Sequence, residues 1–341
     1  MAVDFYQQQK KNVRKTIILV GVIFGIAIGA GVLLDLTFLT NGIITAVLVV
    51  FVAVQALIAF GSGSKIVLKS VGAKEVLPDT KSLEEKQLLN IADELSISSG
   101  MTRPKVYVMN DPSINAFATG TKEKESYVCV TTGLLNSLNR EETEGVVAHE
   151  IAHIKNRDVL LMTIVSALVG GVLLLSLVAF RAGLIMLRTT GFIAMTGGAS
   201  RSRRGGKSDK GDSQGAILAI IAAIFATALV MFIVGQVSRL MTFAISRKRE
   251  FLADATAVEF TRNPNGLTSA FRKIYQKPLA TKQANGATAH LFISEPKMLK
   301  LAEKRGFFAN LLSTHPPLID RIAVLEAKDR SQIVQELQFK T

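Results

Sequence analysis

The sequence predicts a multi-span α-helical membrane anchor carrying a mostly α-helical α+β domain. Three observations predict it. Charge-free, largely apolar runs occupy residues 17–34, 36–64, 159–180 and 213–238, each a span candidate at 1.5 Å per residue against a hydrocarbon core about 30 Å thick. The polar remainder shows apolar residues mostly at helical spacing. Only a few short stretches rich in β-branched and aromatic residues interrupt it.

Residues 1–64 read as an amino-terminal transmembrane hairpin. The first run is too long for a cleaved signal peptide and lacks a small-x-small exit, and a second run follows it after Asp35 and Asn41-Gly42. Lys10, Lys11, Arg14 and Lys15 precede the hairpin and Lys65, Lys69 and Lys74 follow it, so both flanks are expected in the cytoplasm. The net charge of +13 fits basic groups lying against anionic lipid. No nucleic-acid recognition module accompanies it, so no specific nucleic-acid partner is expected.

Residues 65–158 form a first cytoplasmic part. Ser82 and Glu85 resemble a capping box ahead of Leu88, Leu89, Ala92 and Leu95, and the helix ends at Gly100. Lys105–Met109 and Ser126–Thr132 read as strands. Cys129 lies in the second; as the lone cysteine it forms no intramolecular disulfide, and it is expected to be structural. Between the strands, Asn115–Gly120 is either an edge strand able to pair with an extended substrate backbone or an arm of the core sheet.

A capping pair, Asn139 and Glu142, then starts the helix that carries His149-Glu150-Ile151-Ala152-His153. Positions i and i+4 share a helix face, so two of the chain's four histidines can reach one metal ion. Glu150, rotated by about 100°, can reach a water there without becoming a ligand. That pattern suits one Zn²⁺ ion per chain and a glutamate acting as general base in peptide hydrolysis. His153 lies six residues before Val159. A continuous helix would therefore hold the metal close to the membrane surface.

Residues 159–238 are expected to hold two further membrane segments joined by a basic, Gly- and Ser-rich loop. If both cross, that loop lies outside, against the charge bias. Both crossing is still the expected arrangement, because transfer of such long apolar segments outweighs a charge tendency. Residues 239–341 then return to the cytoplasm as the second catalytic part. Glu250 and Asp254, at i and i+4, are alternative sources of the third ligand, and the other acid would orient a ligand imidazole. Gly266–Leu279 reads as a helix over the site. His315 and Arg321, around a proline-stiffened helix entrance, could place positive charge near a developing oxyanion, and His290 caps or packs a loop.

Together the runs His149–His153, Ser246–Asp254, Asn115–Gly120 and Thr314–Ile322 resemble the HtpX-like membrane proteases of the M48 zinc metallopeptidase family, related to the CAAX-processing endopeptidases. The resemblance covers nearly the whole chain. It implies a zincin-like α+β metalloprotease domain with zinc ligands His149, His153 and Glu250 and catalytic Glu150. It further implies Asp254 as support for the ligands, His315 as the transition-state histidine and Arg321 as a brace. Asn115 and Ala116 would belong to the substrate-pairing edge. The expected partners are the lipid bilayer and polypeptide substrates, chiefly damaged or misfolded membrane proteins. The expected location is the plasma membrane, the inner membrane in a Gram-negative bacterium. The rival class is a zinc-binding membrane scaffold or adaptor without catalysis, and the sequence carries no signal for oligomeric state.

Overall fold

The computed structural model describes residues 5–38, 41–196, 219–233, 236, 248–282, 288, 291–293 and 315–338. Two compact units emerge. One comprises residues 1–18, 57–167 and 239–341, the other residues 19–56 and 168–238.

The second unit is built from helices α1 (Phe5–Phe38), α2 (Ile43–Ser70), α6 (Asp158–Thr196) and α7 (Ala219–Ile233) over the parts that fall within it. Asn41 and Gly42 adopt positive φ and turn α1 into α2. Asp35 is not a loop residue: it lies within α1, and its carboxylate accepts the Ile44 and Thr45 amides, both at 3.0 Å. It thereby satisfies amides that the first turn of α2 leaves without helical partners. Gly31 permits the close crossing, since a Cβ there would stand 2.6 Å from Thr45 Cα.

Among the described residues, three helical stretches are long and apolar enough to cross a membrane: Asn12–Leu36, Ile43–Ser70 and Asp158–Thr189. Helix α6 continues past the charge-free run through Arg181 and Arg188. Of the fourth run only 219–233 and 236 are described. The rest of it, the Gly/Ser-rich stretch 197–215, residues 246 and 247, and His290 lie outside the described residues.

The first unit sets helices against a four-stranded sheet of order β1-β2-β4-β3, with β1 Lys74–Glu75, β2 Lys105–Met109, β3 Ala116–Lys122 and β4 Glu125–Thr131. β2 and β4 run parallel, whereas β3 returns antiparallel on β4 and takes one edge. The two-residue β1 carries no sequence signal of its own. Strand β4 ends one residue before the expected Thr132, because Thr131 caps the short helix α4 (Thr132–Ser137) by accepting from the Leu134 amide. Cys129 is fully buried in β4, and burial pushes its thiol pKa up, as suits a structural residue.

Helix α3 (Leu83–Ser99) starts at Ser82 and stops at Gly100 in left-handed geometry. The capping box there is half formed, since the Glu85 carboxylate accepts from Thr80 instead. Helix α5 (Arg140–Lys155) has the full box between Asn139 and Glu142. It forms the buried axis of the unit, packed against α3, β3, α8 (Lys248–Thr261) and α9 (Pro264–Gln276). α9 begins earlier than expected because Asn263 caps it and Pro264 occupies its first turn. Gly145 is required where α5 meets α9: a Cβ would stand 2.7 Å from the Leu267 amide nitrogen. Leu267, Ala270, Phe271 and Ile274 fill the space, with α10 (Leu318–Leu325) and α11 (Arg330–Gln338) closing the same core.

The helix that carries the histidine motif does not continue into the third apolar run. Asn156 ends α5, and Arg157 takes φ 56°, a left-handed conformation costing a non-glycine residue about 1–2 kcal/mol. α6 starts afresh at Asp158.

Candidate metal centre and its cleft

α5 buries His149 and Glu150 and leaves His153 at the cleft. The Nε2 atoms of His149 and His153 lie 3.1 Å apart. From α8, Glu250 brings Oε2 to 3.7 Å from His149 Nε2 and Oε1 to 3.5 Å from His153 Nε2. One ligand atom from each of these three residues lies within 4.8 Å of the others. In a tetrahedral zinc shell, bonds of about 2.0–2.1 Å place neighbouring donors about 3.3 Å apart. The two nitrogens and the carboxylate therefore fit a zinc ion. Glu250 is buried and turns one carboxylate oxygen to each Nε2, the donor set of two imidazoles and one carboxylate that a catalytic zinc takes.

Both imidazoles are held from behind. Asp254 Oδ1 lies 2.9 Å from His149 Nδ1, so an Nδ1–H donated there leaves Nε2 as a free lone pair. Asp158 Oδ2 stands in the same relation to His153 Nδ1, at 3.2 Å. Sequence reasoning missed Asp158. In an unbroken helix it would stand about 140° round from His153; the break at Arg157 brings it back.

Burial lowers the His149 pKa to about 4, helped by the Arg321 charge and opposed by Asp254. Burial acts the same way on His153, but the Glu250 charge and the Asp158 hydrogen bond outweigh it and push that pKa up to about 9. Burial raises Glu150 to about 7, against the nearby His153 charge and a hydrogen bond from the Ala118 amide. Glu250 is also buried, yet His315, His153 and Arg321 hold it well below the usual carboxylate range.

His315 Nδ1 lies 2.9 Å from Glu250 Oε2. Arg321, wholly buried, donates from Nε and Nη2 to the two oxygens of Asp254, and its guanidinium carbon lies 4.2 Å from the Phe271 ring centroid. The open cleft of about 410 Å³ is lined by polar Glu150, His153, Glu250 and His315 on one hand and by Ala118, Val159, Met162 and Leu291 on the other. Such a lining can polarise a peptide link while receiving an apolar side chain.

Asn115 and Ala116 sit at the start of β3, on the sheet edge. The Asn115 side chain is buried and donates to Thr281 Oγ1 at 2.8 Å, while the Ala116 carbonyl accepts from the Ile293 amide at 3.1 Å. Farther along, Gly120 donates its amide to Thr163 Oγ1 at 3.1 Å. The chain itself thus engages this edge at two points, a feature no sequence pattern signalled.

The family described as "Peptidase family M48" matches residues 82–329. A "Protease HtpX homolog" of Caldanaerobacter subterraneus subsp. tengcongensis is 40% identical over 94% of this chain and 97% of its own length. That of Thermoanaerobacter pseudethanolicus gives the same figures. The "Protease HtpX homolog" of Listeria monocytogenes is 37% identical over 94% of this chain and 99% of its own length. The crystal structure of S. mikatae Ste24p aligns at TM-score 0.47 and 18% identity, over 94% of this chain and 67% of that one.

Proposed function

The chain belongs to peptidase family M48, and from that premise we propose that it is a zinc-dependent membrane endopeptidase acting in quality control of misfolded or damaged membrane proteins. One observation carries the reading: His149, His153 and Glu250 converge in a cleft that also holds the buried carboxylate of Glu150. The quality-control role rests on the resemblance to HtpX-like proteases alone.

Bound zinc would supply Lewis acidity, making water a nucleophile near neutral pH and polarising the scissile carbonyl. Glu150 takes the proton of the attacking water and delivers it to the leaving amine. Its carboxylate lines the same cleft as the metal ligands, within reach of a water held there. His315, across the cleft, donates to the oxygen that gains charge, and Arg321 acts through Asp254 to keep His149 oriented. Asn115 and Ala116 place the extended substrate along β3, after the Ile293 contact opens.

The protein is an integral plasma membrane protein in this reading, with four spans and both catalytic parts in the cytoplasm. Basic residues on both flanks of the first hairpin support that orientation. The bilayer and membrane-protein substrates are its partners, and nucleic acid is not.

Glu150→Gln tests the chemistry. The purified variant should keep its fold and its zinc yet lose cleavage of an unfolded membrane substrate by several orders of magnitude. Wild-type cleavage rates in that variant would reject the mechanism, and zinc binding without any hydrolysis by the wild type would favour the scaffold.

A further inference from the structure

Asp158 has a partner that the metal centre alone does not require. Its Oδ2 faces His153, while its Oδ1 accepts from Asn12 Nδ2 at 2.6 Å and from Arg249 Nη1 at 3.1 Å. Asn12 belongs to α1, 146 residues away in sequence, and its Nδ2 also donates to the Asn156 carbonyl at 2.8 Å. It therefore grips both sides of the turn that carries Asp158 back to His153. Asn12, Asp158 and Arg249 are all nearly inaccessible to solvent.

A buried asparagine on a helix entering an apolar run is unfavourable unless hydrogen bonds offset its burial, and Asn12 makes two of them through Nδ2. A simple anchor gains nothing from placing one there, since alanine or leucine would bury well. Asn12 also falls in the same compact unit as the metal ligands, unlike the apolar length of α1 beyond Ile18. A carboxylate has four lone-pair directions and rotates readily. Two donors on Oδ1 remove that freedom and leave Oδ2 for the imidazole. Arg249 precedes the ligand Glu250 on α8, so the helix that supplies the third ligand also neutralises the carboxylate behind the second.

The geometry points to Asp158 as the positioning residue of the metal ligand His153, and to Asn12 as the group that locks Asp158, making the start of the amino-terminal helix a working part of the metal centre. This inference rests on the zinc reading above. Its chemistry is the carboxylate–imidazole–metal relation, in which the partner behind a ligand fixes its ring and raises its basicity.

Zinc affinity of the full chain in detergent, measured by chelator competition, tests it. Asp158→Asn should weaken zinc binding about 10–100-fold. Asn12→Ala should weaken it by a smaller factor, about 3- to 10-fold, because Arg249 remains on Oδ1. The double variant should bind no more weakly than Asp158→Asn, because Asn12 acts through Asp158. Ile17→Ala, at an exposed position of the same helix, should bind zinc as the wild type does. Thermal unfolding of each variant without metal separates a lost contact from a lost fold. An Asn12→Ala affinity within twofold of wild type, or losses that multiply in the double variant, would overturn the inference while leaving the zinc reading intact. A wild-type chain that takes up no zinc would instead overturn the zinc reading, and this inference with it.

Discussion

Arg321 and Asp254 form a two-point pair, Nε to Oδ2 at 2.8 Å and Nη2 to Oδ1 at 2.5 Å, with no exposed guanidinium surface. Arg321 is thereby joined through one carboxylate to His149, from the opposite end of the catalytic unit's sequence. Removing one member strands the other as a buried charge. Arg321→Ala is expected to lower the stability of the catalytic unit by about 3–5 kcal/mol. Arg321→Lys should recover only part of this, because an ammonium cannot make the planar pair or lie flat on Phe271. Thermal unfolding in detergent measures both, and an alanine variant as stable as wild type contradicts the account.

The two acids on α8 are expected to fail differently. Glu250 faces both Nε2 atoms, whereas Asp254 faces only the rear nitrogen of His149. Glu250→Gln should lose zinc outright under a chelator challenge that Asp254→Asn survives with about 10–100-fold weaker binding. Asp254→Asn should be the less stable protein of the two, since it leaves Arg321 without its full counter-charge. The reverse order of zinc loss would make Asp254 the ligand.

Glu142 links the start of α5 to α9, accepting from the Asn139 amide at 2.8 Å, Lys273 at 2.6 Å and Ser269 at 2.6 Å. Burial works to raise its pKa, but these hydrogen bonds and the lysine charge leave it lowered. A depressed folded pKa contributes stability that is complete above the unfolded value, about 4.5, and is lost as pH falls through the folded one. Glu142→Gln should therefore be less stable near neutrality and lose less on acidification below that value. Unfolding midpoints across a pH series decide it: parallel curves for variant and wild type would show that Glu142 is not linked to the acid transition.

Topology gives a further prediction. A modifiable cysteine introduced near position 202, in a chain whose own Cys129 is buried, should react from outside the cytoplasm if the third and fourth apolar runs both cross. Cytoplasmic labelling there, with positions 80 and 330 also cytoplasmic, would reduce the count to the amino-terminal hairpin.

Much of the catalytic unit was legible because its signals are local. The capping pair Asn139–Glu142, the helical stripe after Ser82 and the β-branched runs around Tyr107 and Cys129 depend on neighbours within a turn or a strand. Spacing of i and i+4 put His149 and His153 on one face before any partner was known. Spacing could not choose between Glu250 and Asp254, since both lie on one face of α8. The resemblance alone supplied that choice.

What the sequence determined by itself was most of the long helices, the strands β2 and β4, and the two histidines that share a face. Only the tertiary structure decided which distant groups stand behind them. Asp158 reads as the last polar residue before one apolar run and Asn12 as one of several polar residues ahead of another. Neither has a periodic or motif partner. Their meeting depends on Arg157 leaving the helical region and on α1 arriving beside that turn. A hydrogen bond across 146 residues is selected by packing, and packing leaves no period in the chain for a sequence to display.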